Sequence, residues 1–311
     1  MTVNATHPLR RVKARPDAEP DVDRGILSGF DRRKRSVRAT MGGVHVLLFG
    51  GLVIAGLGPI LWLAKAAVTS TQDTITHPID LWPNGLDWAN LSQAWFEVHI
   101  DQYFLNTIIL AAGSWLFSLF IATTAGYGLS VLRPKYAGIL NAAVLGTLFV
   151  PSVVLLVPLY LTIVHPPVGN SLLNNYLAVW LPAATNAFNI LLVKRFFDNL
   201  PREVFEAART DGAGPFRLFW SIVLPMSRPI LGVVSVFAII ASLKDYLWPS
   251  LVLPDPAVQP LGVRLPAIQS QTELDVFLAA LAIATIVPVV MFLLFQRVFL
   301  RSAGLGGAVK G

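Results

Sequence analysis

The sequence predicts an all-α membrane protein with six transmembrane helices and both termini in the cytoplasm. Hydrophobic residues make up 54% of the 311 residues and charged residues only 14%, whereas soluble domains carry about 25% charged residues. The few charges leave long uncharged runs between them. Most of the lysines and arginines also fall in stretches that six helices would place on one side of the membrane.

The uncharged runs locate the spans, because a helix needs about 20 apolar residues to cross the hydrocarbon core. Residues 40–64 form the first predicted span and residues 102–132 the second. The run 136–193 is long enough for the third and fourth spans, divided at segment 165–170, where adjacent prolines and a glycine end the helix. Residues 276–296 form the sixth predicted span.

The fifth span is the exception to this pattern. Its uncharged run, residues 229–243, is too short to cross on its own. It reaches full length only if Lys244 and Asp245 lie within the membrane or at its edge.

The distribution of basic residues predicts the orientation. Residues 1–42 carry ten lysines and arginines, and 21 of the 24 in the chain lie on the side of the termini. The opposite loop, residues 66–103, contains five acidic residues and no lysine or arginine. Cytoplasmic loops carry an excess of basic residues, so both termini are expected in the cytoplasm and the protein in the cell membrane.

Two domains are expected. Residues 1–40 form a basic tail that is expected to be disordered, with an arginine-rich cluster that either sets the topology or binds anionic lipid. Residues 41–311 form the transmembrane domain, with its core at about 102–297. The net charge of +6 does not indicate nucleic-acid binding, because the basic residues flank apolar runs instead of forming one basic face.

Segment 196–228 is the most elaborate polar stretch between two spans. Pro201 is expected in the first turn of one helix, Asp211 and Gly212 form a turn, and Gly214-Pro215 begin a second helix that Leu224-Pro225 end. Apolar stripes are expected on both helices. The stripe of the first helix consists of Val204, Ala207 and Ala208, and that of the second consists of Phe216, Phe219, Trp220 and Val223. Such helices either dock into the groove of a partner or lie on lipid.

Several chemistries are excluded or disfavoured by the sequence. The chain has no cysteine, so disulfides, thiolate metal sites and cysteine nucleophiles are absent. It contains no phosphate-binding loop of the type G-x-x-x-x-G-K-[ST], and its five histidines are scattered. We therefore expect no catalytic residue, no bound metal and no cofactor.

The polar segment resembles the cytoplasmic loop of permease subunits of ABC importers, known as the EAA loop. The matching positions are Glu206, Ala207, Ala208, Gly212, Ile222, Leu224 and Pro225, and all of them have the spacing of the family. The resemblance extends over residues 41–311. The sequence at the end of the fifth span, 242–249, and the C-terminal residues resemble the carbohydrate permeases of the MalG-like branch.

The resemblance implies a type I (MetI-like) importer fold and a coupling role for segment 196–228. The residues expected to seat in a separate ATPase subunit are Glu206, Ala207, Ala208, Asp211, Gly212, Phe216, Leu224 and Pro225. Two ATPase domains, a second permease subunit and an extracytoplasmic solute-binding protein are the implied partners. ATP and Mg²⁺ are then bound by the ATPase subunits and not by this chain.

A substrate path is expected at the outer end of the fifth span and in the following loop. Its candidate residues are Lys244, Asp245, Tyr246, Trp248, Arg264 and Gln269. The family more often has asparagine at the position of Lys244, and a cation there would favour an acidic or phosphorylated sugar. The alternative is that Lys244 and Asp245 extend to the membrane interface and touch no substrate.

The sequence therefore predicts a carbohydrate permease subunit of an ABC importer. Two alternatives stay open at this point. One is the same permease role for another solute, such as a glycerol phosphodiester, a polyamine or an amino acid. The other is a secondary transporter, which is disfavoured because the sequence shows no internal repeat.

Overall fold

The computed structural model describes residues 35–80 and 82–304, and the predicted all-α class is confirmed for them. Most of the basic tail predicted for residues 1–40 lies outside the described residues. The chain divides into two compact units, residues 1–59 and residues 60–311.

The first unit contains the greater part of helix α1 (Arg35–Ala66). This helix begins five residues before the predicted first span, so the last residues of the expected disordered tail are helical. The sequence there contains neither proline nor glycine, and arginine is a good helix former. Its apolar side chains are exposed, as in Leu47 and Leu52, which fits a lipid-facing span.

The second unit opens with two short helices and one long one. Helices α2 (Thr71–Thr76) and α3 (Ala89–Ser92) precede α4 (Ile100–Tyr127), and α4 continues through a π-helical turn to Leu132. The predicted second span is therefore confirmed as one continuous helix. At 1.5 Å per residue, α4 is about 42 Å long, enough to cross a bilayer with some tilt.

The third and fourth spans are each broken. Helices α5 (Ala137–Thr147) and α6 (Ser152–Val164) meet at 108°, and α7 (Leu177–Ala184) meets α8 (Ala187–Asp198) at 43°. The predicted division at 165–170 is confirmed. The bend in the third span lies at Pro151, which disfavours the helical conformation of the residue before it.

Four short or medium helices follow the fourth span. They are α9 (Arg202–Thr210), α10 (Pro215–Leu218), α11 (Leu224–Met226) and α12 (Arg228–Lys244). Helix α12 is the predicted fifth span, and it includes Lys244 but stops before Asp245.

The chain ends with α13 (Leu247–Val252), α14 (Leu261–Ile268) and α15 (Leu274–Gly304). By length and composition, three helices in the described part of the chain can cross a membrane. The number rises to six if each of three bent pairs counts as one span. Six spans are thus the largest number that the structure supports. One of the three bent pairs joins α10 and α11 to α12.

Helix α4 lies at the centre of the second unit, in contact with α7, α8 and α12. Two glycines allow close approach: Gly113 lies against the indole ring of Trp180, and Gly126 lies against Val193. The indole nitrogen of Trp180 donates a hydrogen bond to the carbonyl oxygen of Leu110 at 3.1 Å. Small residues are typical of such contacts, because apolar lipid provides no hydrophobic drive between helices.

We expect Gly113→Ala to destabilise the protein, because its added methyl group would overlap the indole ring of Trp180. Overpacking of this kind costs about 1–3 kcal/mol. The matched control is Gly128→Ala in the same continuous helix, where nothing lies within 4 Å of the added carbon. Thermal unfolding in detergent measures both, and equal melting temperatures would contradict the packing argument.

Candidate functional site

The polar segment 196–228 consists of two short helices, as predicted from the sequence. Helix α9 begins at Arg202, directly after Pro201, which is the N-cap residue. Glu203 lies in the first turn, where a carboxylate interacts favourably with the positive end of the helix dipole. Glu206 follows one turn later on the exposed surface.

A Schellman motif ends α9 at Gly212. The backbone amide of Gly212 donates to the carbonyl of Arg209 at 3.0 Å, and that of Ala213 donates to the carbonyl of Ala208 at 2.9 Å. Gly212 has a φ angle of +79°, in the left-handed region that glycine adopts without steric cost. The predicted turn is confirmed, with Asp211 as the C-cap residue.

The second helix begins with Pro215 and passes through one π-helical turn, Phe219–Val223. Pro225 has no N–H to donate to the carbonyl of Ser221, and its ring would crowd that carbonyl in a regular α-helix. The helix nevertheless continues through Pro225 to Met226, so the predicted stop at Leu224-Pro225 is one residue early. The chain then turns by 79° into α12.

The faces of the two helices differ in part from the predicted stripes. Helix α9 buries Phe205 and Ala208, whereas Ala207 is exposed. On the second helix the buried side chains are Leu218, Phe219 and Val223. Phe216 and Trp220, which were predicted to share that stripe, are 76% and 54% exposed.

The outward-facing pair is Phe216 and Trp220, whose ring centroids lie 6.2 Å apart. Phe219, on the inner side, packs against both Trp220 and Tyr127. The exposed ring of Trp220 is therefore packed against the buried ring of Phe219, which in turn packs against Tyr127. Large exposed aromatic side chains on a rigid support are typical of protein interaction sites.

The second helix is tied to the end of α4. The hydroxyl of Tyr127 donates a hydrogen bond to the carbonyl oxygen of Pro215 at 2.8 Å, and its ring lies 5.0 Å from that of Phe219. One hydrogen bond and one ring contact therefore join this helix to α4.

Asp198 joins α8 to the end of α4. Its carboxylate accepts hydrogen bonds from Ser130 at 2.8 Å, from Arg133 at 3.1 Å and from Lys194 at 2.7 Å. Lys194 is only 20% exposed, so its ammonium group depends on this partner. The start of segment 196–228 is thus held to the end of α4 by an ion pair as well as by packing.

A polar cleft of about 160 Å³ lies beside this network. Its charged lining residues are Arg133, Asp198, Arg202, Glu206 and Arg209. Glu206 is therefore set among arginines at the edge of an open cleft, which suits a charged contact with a partner.

A second candidate region is a cavity of about 340 Å³ beside α4, α8 and α12. Two of the predicted path residues, Asp245 and Trp248, line it. The backbone amide of Trp248 donates to a carboxylate oxygen of Asp245 at 3.3 Å, and its indole nitrogen donates to the carbonyl of Ala178 at 2.9 Å.

The structure does not bring the other predicted path residues to this cavity. Lys244 lines a separate apolar groove beside α15, with Pro288 and Phe292. Arg264 donates a hydrogen bond to the hydroxyl of Tyr103 at 3.2 Å, with its guanidinium group 5.6 Å from the ring centroid. Tyr246 and Gln269 are exposed, and neither is among the described residues that line the cavity.

Sequence reasoning missed the polar residues that form the rest of the cavity. They are Ser114, Ser118, Ser152, Asn186, Asn189 and Ser242. The signal was present, since Ser114 and Ser118 are four residues apart and therefore share one face of a helix. A search for charges passes over them because they are neutral.

The described residues contain no group of three or more acidic or histidine side chains that could hold a metal ion.

Three comparisons with known proteins bear on the chain as a whole. A family model described as binding-protein-dependent transport system inner membrane component matches residues 118–304.

A probable ABC transporter permease protein of Bacillus subtilis, YurM, is 32% identical over 94% of this chain and 96% of its own. A diacetylchitobiose uptake system permease protein of Streptomyces coelicolor, NgcG, is 29% identical over 83% of this chain and 84% of its own. The crystal structure of a bacterial ABC transporter involved in the import of the acidic polysaccharide alginate superposes with a TM-score of 0.71. The superposition covers 85% of this chain and 97% of the solved chain at 23% sequence identity, which shows that the two chains share a fold.

We expect Asp198→Ala to lower the stability of the protein, because it leaves the largely buried Lys194 without its carboxylate. Loss of a partner for a buried polar or charged group costs about 1–3 kcal/mol. The control is Asp80→Ala, at an exposed position, where the expected change is within about 0.5 kcal/mol. Unfolding in detergent measures both variants, and an unchanged Asp198→Ala protein would refute the bracing role.

Proposed function

The chain belongs to the family of inner-membrane components of binding-protein-dependent transport systems, and we propose that it is the permease subunit of an ATP-driven sugar importer. The observation that carries the proposal is the docking segment 196–228. It displays Glu206 on α9 and the aromatic pair Phe216 and Trp220 on the second helix outward, and the second helix is hydrogen-bonded to α4. A permease of this kind contributes half of the translocation path.

The docking segment is the coupling element of the importer. Two ATPase domains bind ATP and Mg²⁺, and each permease inserts its segment into a cleft of one of them. Phe216 and Trp220 pack within the cleft, Glu206 supplies a charged contact, and Gly212 holds the two helices at their angle. Closure of the ATPase dimer moves the segment as a rigid body, and the bond from Tyr127 to Pro215 carries that movement into α4.

The complete importer contains two further partners. A second, different permease subunit forms the other half of the path, and a solute-binding protein delivers the substrate on the outer side. The loops around residues 66–103 and 251–276 face that binding protein. The apolar helices are surrounded by membrane lipid.

Both termini and the docking segment lie in the cytoplasm in this proposal. The support is the distribution of basic residues described above, since positively charged connections stay on the cytoplasmic side. A cytoplasmic docking segment is also a requirement of the coupling role, because ATP is hydrolysed there.

A sugar or oligosaccharide is the substrate class best supported. NgcG belongs to a diacetylchitobiose uptake system, and the solved transporter with the same fold imports the acidic polysaccharide alginate. The alternative is the same permease role for a non-sugar solute, such as a glycerol phosphodiester, a polyamine or an amino acid. Family membership favours both of these permease hypotheses over a secondary transporter.

We expect Glu206→Lys and Phe216→Ala to uncouple the importer. Truncation of a central aromatic anchor costs about 2 kcal/mol of binding energy, which corresponds to about a 30-fold loss of affinity for the ATPase subunit. Charge reversal at Glu206 opposes docking as well. Co-purification of the ATPase subunit and ATP-dependent uptake into vesicles measure the effect.

The control for these variants is Phe96→Ala. Phe96 is 69% exposed and lies next to the opposite end of α4, so its loss tests aromatic exposure alone. It should recruit the ATPase subunit as the wild type does, and all three variants should insert into the membrane. Normal recruitment by Glu206→Lys and Phe216→Ala would overturn the coupling assignment.

The absence of cysteine makes the orientation directly measurable with single-cysteine variants. We expect a membrane-impermeant maleimide to label Asp80→Cys on intact cells, and to label Thr210→Cys only after the cells are permeabilised. The cysteine-free parent provides the background. Labelling of Thr210→Cys on intact cells would reverse the proposed topology.

A further inference from the structure

The cavity beside α4 has a neutral polar floor and a rim with one charged residue. Ser114, Ser118 and Asn189 form the floor, and each is at most 5% exposed. Ser152, Asn186 and Asp245 form the exposed part. Among the described residues that line the cavity, Asp245 is the one that carries a formal charge.

The floor offers hydroxyl and amide groups that already bond with one another. The side-chain amide of Asn189 donates to the hydroxyl of Ser118 at 3.1 Å, and the hydroxyls of Ser242 and Ser114 lie 3.5 Å apart. Hydroxyl and carboxamide groups act as both donors and acceptors. They therefore match the hydroxyl groups of a sugar, which also donate and accept.

Trp248 forms an apolar wall of the cavity. Its indole nitrogen is held by the carbonyl of Ala178, so the ring has a fixed position. Binding sites for small molecules combine such apolar and aromatic walls with a few placed polar groups. The combination of Trp248 with the serine and asparagine floor suits the apolar face and the hydroxyl rim of a sugar ring.

No cation compensates for Asp245 among the described lining residues. Lys244 lies in the apolar groove beside α15, and Arg264 is held by Tyr103. An anionic solute entering the cavity would lose water, meet the carboxylate and find no basic partner. Unpaired charges of this kind are a common means of rejecting a wrong ligand.

We propose that the cavity admits neutral polyhydroxylated sugars and rejects anionic ones, with Asp245 as the residue that determines this specificity. The proposal rests on the proposed transport function and names its substrate class. It separates this chain from an importer of acidic polysaccharide with the same fold. The earlier expectation of an acidic sugar depended on Lys244, which the structure places outside the cavity.

The first test measures the charge of the cavity in the assembled importer, reconstituted with its partner subunits. Ala241 lines the cavity and lies four residues before Asp245, so Ala241→Cys is the reporter and the exposed Gln269→Cys is the reference. Both react with methanethiosulfonate reagents of opposite charge. We expect the ratio of cationic to anionic reaction rates at Ala241→Cys to exceed the reference ratio about tenfold, a factor that corresponds to about 1.4 kcal/mol.

Two second-site variants assign that ratio to a residue. Asp245→Asn keeps an acceptor for the amide of Trp248 and should reduce the ratio to the reference value. Lys244→Gln should leave it unchanged. Equal ratios at both reporters, or a ratio that responds to Lys244→Gln instead of Asp245→Asn, would overturn the proposal.

The second test uses protection of Ala241→Cys by sugars at millimolar concentration. Maltose should slow the labelling and glucuronate should not, whereas both should slow it in the Asp245→Asn background. Protection by glucuronate as strong as that by maltose, or no protection by either, would refute the specificity. Neither test depends on coupling of ATP hydrolysis to transport. A negative result in either test is therefore distinguishable from a failure of the docking segment to recruit the ATPase subunit.

Discussion

The close packing of helices against α4 is the constraint on which the rest of the second unit depends. In a membrane, helices gain little by hiding apolar surface from lipid, so they associate where backbones approach closely and polar groups find partners. Gly113 and Gly126 provide the close approach to α7 and α8. On the same helix, Asn106 and Thr107 bind the backbone of the segment around 257–261, which fixes the loop before α14.

The same helix connects the two candidate sites. Tyr127 near its end holds the docking segment, and Ser114 and Ser118 in its middle form the floor of the cavity. A rigid helix transmits a displacement along its length without an intervening hinge. In the proposed importer, this helix would therefore connect a contact at segment 196–228 to the cavity.

Sequence reasoning located the spans because charges are costly in lipid, and it found Gly212 because few residues adopt a positive φ angle. It failed where the phase of a short helix decides the outcome. Successive residues are separated by about 100° around the helix, so packing decided that Phe205 and not Ala207 joins the predicted Ala208 on the buried side of α9. The neutral floor of the cavity was missed because no charge marks it.

The two adjacent charged residues at the end of α12 show how local structure decides specificity. Lys244 is the last helical residue and faces the groove beside α15, whereas Asp245 is the C-cap residue, with an extended backbone, and lines the cavity. Had the helix continued by another turn, the position of both side chains would follow the helical phase. The end of α12 therefore separates a cation that lines an apolar groove from a carboxylate that lines the polar cavity.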